Sequence, residues 1–228
     1  MNRPIRRVAV ACLLLFGALL VNANVVQVGQ ASSLKKRPEN SRQLTERLQR
    51  ERGPIVVSGQ AVAESRPVND EYKFQRTYPF GPLYSDVTGY YTLFTATGIE
   101  KAQDDLLSGE DDRLFVSRLS DLITGRKPRG GTVVLTLDRS VQEVATRVLG
   151  NRRGAVVALD PRTGEILAMA TSPAYDPNPL ADHDGAAAQA AFQKLVGTPG
   201  RPLLNRATQE TYPPGSTFKV ITAAAALS

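Results

Sequence analysis

Three serine–lysine pairs in this chain share the spacing S-x-x-K: Ser32/Lys35, Ser33/Lys36 and Ser216/Lys219. On a helix that spacing puts a hydroxyl and an amine almost one turn apart on one face, where a neutral amine can take the hydroxyl proton and make the serine a nucleophile. Context separates the three. The first two pairs open a charged stretch, SLKKRPENSRQLTERLQRERG, in which a hydrated lysine keeps its proton and cannot act as a base. Ser216 instead follows the rigid turn Pro213-Pro214-Gly215 and precedes the apolar run VITAAAAL. The turn is expected to place Ser216 in the first turn of a helix, with backbone N–H groups facing whatever it attacks. The apolar run is expected to seat Lys219 in surroundings that disfavour an ammonium ion. The same residues admit a plainer reading, a serine N-cap and a lysine whose stem lies along the surface.

The elements that must position this pair form an α+β pattern. GPIVVSGQAVAES places two β-prone runs around Ser58-Gly59 and predicts a hairpin. GIEKAQDDLLSG predicts a short helix ended by Gly109. Pro and Gly cluster with basic residues in ITGRKPRGG, marking a boundary near residue 128. Its Gly125 to Gly130 spacing imitates a phosphate loop, but Gly131-Thr132 follows where the phosphate-reaching lysine would stand. TVVLTLD then predicts a strand and RSVQEVATRVLG a helix stopping at Gly150. GAVVALDPRTGEILAMAT predicts a hairpin turning at Asp160 to Gly164, its nearly continuous apolar runs pointing to strands buried on both faces. GAAAQAAFQKLVG predicts a further helix.

At the other end, Arg3, Arg6 and Arg7 precede a largely apolar run from Val8 to Val28. Such a run reaches roughly 30 Å as a helix, enough to cross a bilayer, and the arginines before it favour a cytoplasmic N-terminus with the bulk of the chain extracytoplasmic. Cleavage as a signal peptide near Val21-Asn22-Ala23 is the competing reading. The division expected is a cytoplasmic tail 1–7, a transmembrane anchor 8–28, a stalk and pedestal 29–127, and a catalytic part 128–228. Cys12 is the lone cysteine, so the chain forms no internal disulfide. The net charge of +6 would suit an acidic partner. No basic run is interleaved with aromatics as stacking on nucleic acid requires, which argues against a nucleic-acid partner. His183, flanked by Asp182 and Asp184, reads as a loop residue rather than a metal ligand, and no cofactor is expected.

YPPGSTFK is similar to the active-site serine motif of penicillin-binding proteins. GGTVVLTLDRSVQEVA, GAVVALDPRTGEILAMATSPAYDPN and LLNRATQETYPPGSTFK follow in the order of the start of a penicillin-binding transpeptidase domain, with its serine β-lactamase-like fold. Upstream, ERGPIVVSGQAVAES, RTYPFGPLYSDVTGYY and GIEKAQDDLLSG resemble the pedestal, or dimerisation, region of class B enzymes of the actinobacterial penicillin-binding protein A type. The resemblance implies that Ser216 is the acylated nucleophile, that Lys219 is its general base, and that the Ser216 N–H is half of an oxyanion hole. The implied substrate is the D-Ala-D-Ala terminus of a peptidoglycan stem peptide, with β-lactams as substrate mimics. The span between Val28 and Gly130 is too short for the glycosyltransferase domain of bifunctional relatives. A separate membrane glycan polymerase and other wall-synthesis proteins are therefore implied as partners.

The family's S-x-N and K-T-G motifs do not follow Ser216, and Arg162-Thr163-Gly164, the nearest imitation of the second, precedes it in a turn. The expectation is an N-terminal fragment of a longer protein, with little or no transpeptidase activity alone. Two other readings stand beside it: a β-lactam sensor or serine β-lactamase, and a membrane-anchored scaffold in wall synthesis.

Overall fold

The computed structural model describes residues 2–25, 45, 47–114 and 129–227. The stalk expected before Thr45 and the boundary expected near residue 128 lie outside the described residues, as do Ser32, Ser33, Lys35 and Lys36. The chain divides into two compact units, one up to Glu46 and the other from Arg47 onward. In the first, helix α1 spans Asn2–Asn24. Its stretch Arg6–Asn24 is long and apolar enough to cross a membrane, and Leu13, Phe16 and Leu20 lie exposed on it as lipid-facing side chains would.

The second unit begins with the hairpin read from the sequence. Strands β1 (Ile55–Val57) and β2 (Gln60–Pro67) pair antiparallel around Ser58 and Gly59, both at positive φ as a tight hairpin turn demands. Strand β3 (Phe74–Thr77) pairs with the far edge of β2. A short α2 (Ser85–Thr88) follows. The single helix expected next is two, α3 (Gly98–Ala102) and α4 (Asp104–Ser108), broken at Gln103, whose φ of −116° leaves the helical region. Gly109 closes α4 at φ 80°, the left-handed cap that glycine adopts without strain.

The strand expected across TVVLTLD shrinks to β4, Val133–Val134, which pairs parallel with β1. The sheet order is therefore β3-β2-β1-β4, stitching the residues after 129 onto the pedestal. The backbones approach too closely there for any side chain: a Cβ at Gly53 would sit 1.9 Å from the Gly131 carbonyl oxygen. Ile55, Val57, Val62, Tyr78, Tyr84, Leu107, Val133 and Leu137 pack as one core around this junction.

Helix α5 (Arg139–Leu149) is capped by Asp138, whose carboxylate accepts from the N–H groups of Ser140 and Val141. It lies on a hairpin of β5 (Gly154–Leu159) and β6 (Ile166–Ser172), turned with Gly164 at φ 77°. Ala145 of the helix meets Ala168 and Ala170, so small side chains let the helix settle closely on the strands. The expectation that both strands are covered on both faces holds for β6 and fails for β5. Val157 and Leu159 of the outer strand are 43% and 58% exposed. Helices α6 (Gly185–Gly197), α7 (Arg206–Gln209) and α8 (Lys219–Leu227) complete the chain.

Candidate active site

The segment carrying Ser216 and Lys219 is an arm anchored at its root. Asn205 caps α7, its side-chain oxygen accepting from the Ala207 N–H, while its amide donates to the Asp86 carbonyl at 2.8 Å. Arg206 is buried, donates to the carbonyls of Gly200, Arg201 and Leu204, and pairs one turn on with Glu210 at 3.2 Å. Glu210 is the knot of the arm. It also receives Arg153, the residue before β5, and the Tyr212 hydroxyl at 2.6 Å. The Tyr212 hydrogen bond, with Arg153 added, holds its carboxyl below the usual range against the opposing effect of desolvation.

Beyond Tyr212, Pro213 and Pro214 offer no N–H and fixed φ, and Gly215 turns the chain at φ 53°. Ser216 lies in the first turn that leads into a helix, and that turn is 3-10 rather than α. It spans Gly215–Phe218, and in it both the N–H and the hydroxyl of Thr217 donate to the Pro214 carbonyl. The backbone N–H of Lys219 closes the turn onto the carbonyls of Ser216 and Thr217 and opens α8. Ser216 thus lies in the 3-10 turn and Lys219, three residues on, at the first position of α8, and no hydrogen bond joins their side-chain heads.

The expected apolar seat for Lys219 is not formed by the described residues. Ser216 and Lys219 are both exposed, and so is the run behind them, with Val220 74%, Ile221 59% and Leu227 90% exposed. The run is too short to bury its own flanks, and nothing described lies over it.

Two residue groups escaped the sequence reading. The first is the Arg206–Glu210–Arg153 knot, whose one signal was an Arg and a Glu four apart. The second lies in the pedestal, where Glu100, fully buried, accepts from Arg52 at 2.7 Å and from Arg76 at 2.6 Å. Tyr78 donates to the same carboxylate at 3.3 Å and accepts the Tyr91 N–H, and burial pushes its phenol well above the usual value. Arg52 lies over the Tyr91 ring at 4.3 Å and reaches Asp104 at 2.7 Å. These three ionic residues stand 24 apart in sequence, so no local pattern announced them.

His183, expected as a loop residue, meets Asp70 at 2.6 Å and the edge of Tyr72. Hydrogen bonds from His183, Tyr72 and Lys73 hold the Asp70 carboxyl below its usual range, although desolvation, the largest single influence, acts the other way.

Residues 52–133 match the model of the penicillin binding protein A dimerisation domain, and residues 154–228 that of the penicillin binding protein transpeptidase domain. The chain is 50% identical over its whole length to 48% of the peptidoglycan D,D-transpeptidase PbpA of Mycolicibacterium smegmatis. It is 46% identical to the protein of that name from Mycobacterium tuberculosis, again over the whole chain and 48% of the relative. The chain therefore spans about half the length of the curated relatives it matches. Among solved structures, the imipenem acyl-enzyme complex of penicillin-binding protein A from M. tuberculosis matches with a TM-score of 0.77 and 46% identity, over 80% of this chain and 43% of that one. The crystal structure of the same M. tuberculosis protein matches with a TM-score of 0.74 and 48% identity, over 78% of this chain and 42% of that one.

Proposed function

We propose, because this chain belongs to the class B penicillin-binding proteins of the penicillin-binding protein A type, that it carries the nucleophile and general base of a peptidoglycan D,D-transpeptidase. Within the longer protein, the Lys219 amine takes the Ser216 proton and Ser216 Oγ attacks the carbonyl of the penultimate D-Ala of a stem peptide. The tetrahedral intermediate collapses with release of the terminal D-Ala, to which the proton passes, and an ester remains on Ser216. An amine from a neighbouring stem attacks that ester, forming the cross-link and returning the proton to the serine. A β-lactam enters the same way, its ring opening to leave an ester on Ser216. The match of residues 154–228 to the penicillin-binding protein transpeptidase model, with the S-x-x-K pair standing where a 3-10 turn runs into α8, supports this reading.

In this account residues 1–7 form a cytoplasmic tail, 8–28 a membrane anchor, 29–127 the stalk and pedestal, and 128–228 the transpeptidase part. The exposed flank of α8 and the open side of β5 are surfaces that the rest of the transpeptidase domain covers in the full-length protein. That cover supplies the dry surroundings in which a lysine serves as a base. A separate membrane glycan polymerase makes the strands that the enzyme joins.

Fluorescent penicillin applied to membranes of cells making the full-length protein tests the reading. The labelled band is expected to vanish in Ser216→Ala and to persist in Ser32→Ala and Ser33→Ala. A band undiminished in Ser216→Ala overturns it.

A further inference from the structure

Asn205 uses both ends of its amide. Oδ1 accepts the Ala207 N–H at 3.0 Å and caps α7, while Nδ2 donates at 2.8 Å to the backbone carbonyl of Asp86, 119 residues earlier in the chain. Neither contact alone demands asparagine. Serine and aspartate cap a helix as well, and several longer side chains can donate to a carbonyl. Together they do, because a short amide accepts at one atom and donates from another without carrying a charge.

The acceptor is itself held in place. Asp86 lies in α2 of the pedestal, and its carboxylate takes the Thr171 N–H of β6 at 3.1 Å. The carbonyl of its neighbour Ser85 takes the hydroxyl of Tyr175, a buried residue, at 3.3 Å. Through Asn205 the arm is tied to α2, and through Glu210 it is tied to Arg153. Beyond Glu210 every described residue from 211 to 227 is exposed, so the Ser216 turn takes its place from these two ties at its root. The missing N–H groups of Pro213 and Pro214 and their fixed φ carry that placement forward along a stiff segment.

We infer that Asn205 is a positioning residue for Ser216, whose amide lets the pedestal aim the nucleophile and so set the rate of acylation. The inference rests on the proposed function in taking Ser216 as the residue acylated. In this arrangement α2 of the pedestal works on the reaction through a single side chain of the arm.

The test measures the acylation of Ser216 by penicillin G in the full-length protein, at a series of penicillin concentrations. Asn205→Ser and Asn205→Asp keep a helix cap and lose the amide donor, whereas Asn205→Ala loses both. In all three variants the limiting acylation rate is expected to fall about tenfold, as when one hydrogen bond is lost from the transition state. The half-saturating concentration should stay within about twofold, because the nucleophile is displaced and not the pocket that receives penicillin. Without penicillin, amide hydrogen exchange across residues 210–219 is expected to quicken in Asn205→Ser while α5 keeps its protection. Should the new charge in Asn205→Asp unfold the protein, Asn205→Ser decides. Wild-type rates in the cap-preserving variants, with only Asn205→Ala slowed, would make Asn205 a helix cap and overturn the inference. So would a loss confined to the half-saturating concentration, or unchanged exchange across 210–219. A wild type that gains no acyl group on Ser216 contradicts the proposed function itself, and the inference falls with it.

Discussion

Arg76 and Glu100 face each other at 2.6 Å inside the pedestal, with side chains 3% and 0% exposed. Removing the acid from such a pair leaves the guanidinium charge buried and uncompensated, which costs about 3–5 kcal/mol where measured. Glu100 serves Arg52 as well, so Glu100→Gln is expected at the upper end of that range. Thermal unfolding should show Tm lower by about 10 °C or more. A change within about 2 °C would mean that the cluster contributes nothing net.

Gln142 joins three elements by one buried amide. Its nitrogen donates to the carbonyls of Leu83 and Met169, both at 2.8 Å, and its oxygen accepts the Met169 N–H at 2.8 Å. Gln142→Leu keeps most of the volume and orphans these backbone groups, an expected loss of about 3 kcal/mol by denaturant unfolding. Gln142→Glu is expected to be no better at neutral pH, where it buries a charge, and to recover in part as pH falls and the carboxyl protonates.

The Glu210 knot makes a prediction with a sign in pH. Its carboxyl is held low by Tyr212 and Arg153, so what it contributes to the arm is fully present above the ordinary carboxylate value and is lost as pH falls through the lowered one. In the full-length protein, Glu210→Gln is expected to slow acylation by penicillin a few-fold at neutral pH by loosening the root of the Ser216 turn. The wild type should converge on the variant's rate at the acid end. A ratio constant across pH would remove Glu210 as a positioning residue.

Much of this fold was legible locally. Ser58-Gly59, Gly109, Gly150 and Gly164 punctuate the chain where the backbone turns at positive φ. Parts set by distant partners were not. Glu100 and Asp104, four apart, both pair with Arg52 about fifty residues earlier, a partner no window of sequence contains. The short β4 follows from parallel pairing with β1, almost eighty residues earlier. At the candidate site the S-x-x-K turn was readable from Pro213-Pro214-Gly215, but its 3-10 geometry and its root at Arg206 and Glu210 were not. Apolar character in VITAAAAL states what the helix favours, and among the described residues nothing covers it.

The central claim is that Ser216 is the residue acylated, with Lys219 as its base. Penicillin G incubated with the full-length protein, followed by mass mapping of the peptides, measures this directly. One penicilloyl group is predicted on the peptide containing Ser216, absent in Ser216→Ala and formed about 100-fold or more slowly in Lys219→Gln. An adduct on another residue, or undiminished acylation in Lys219→Gln, would contradict the account.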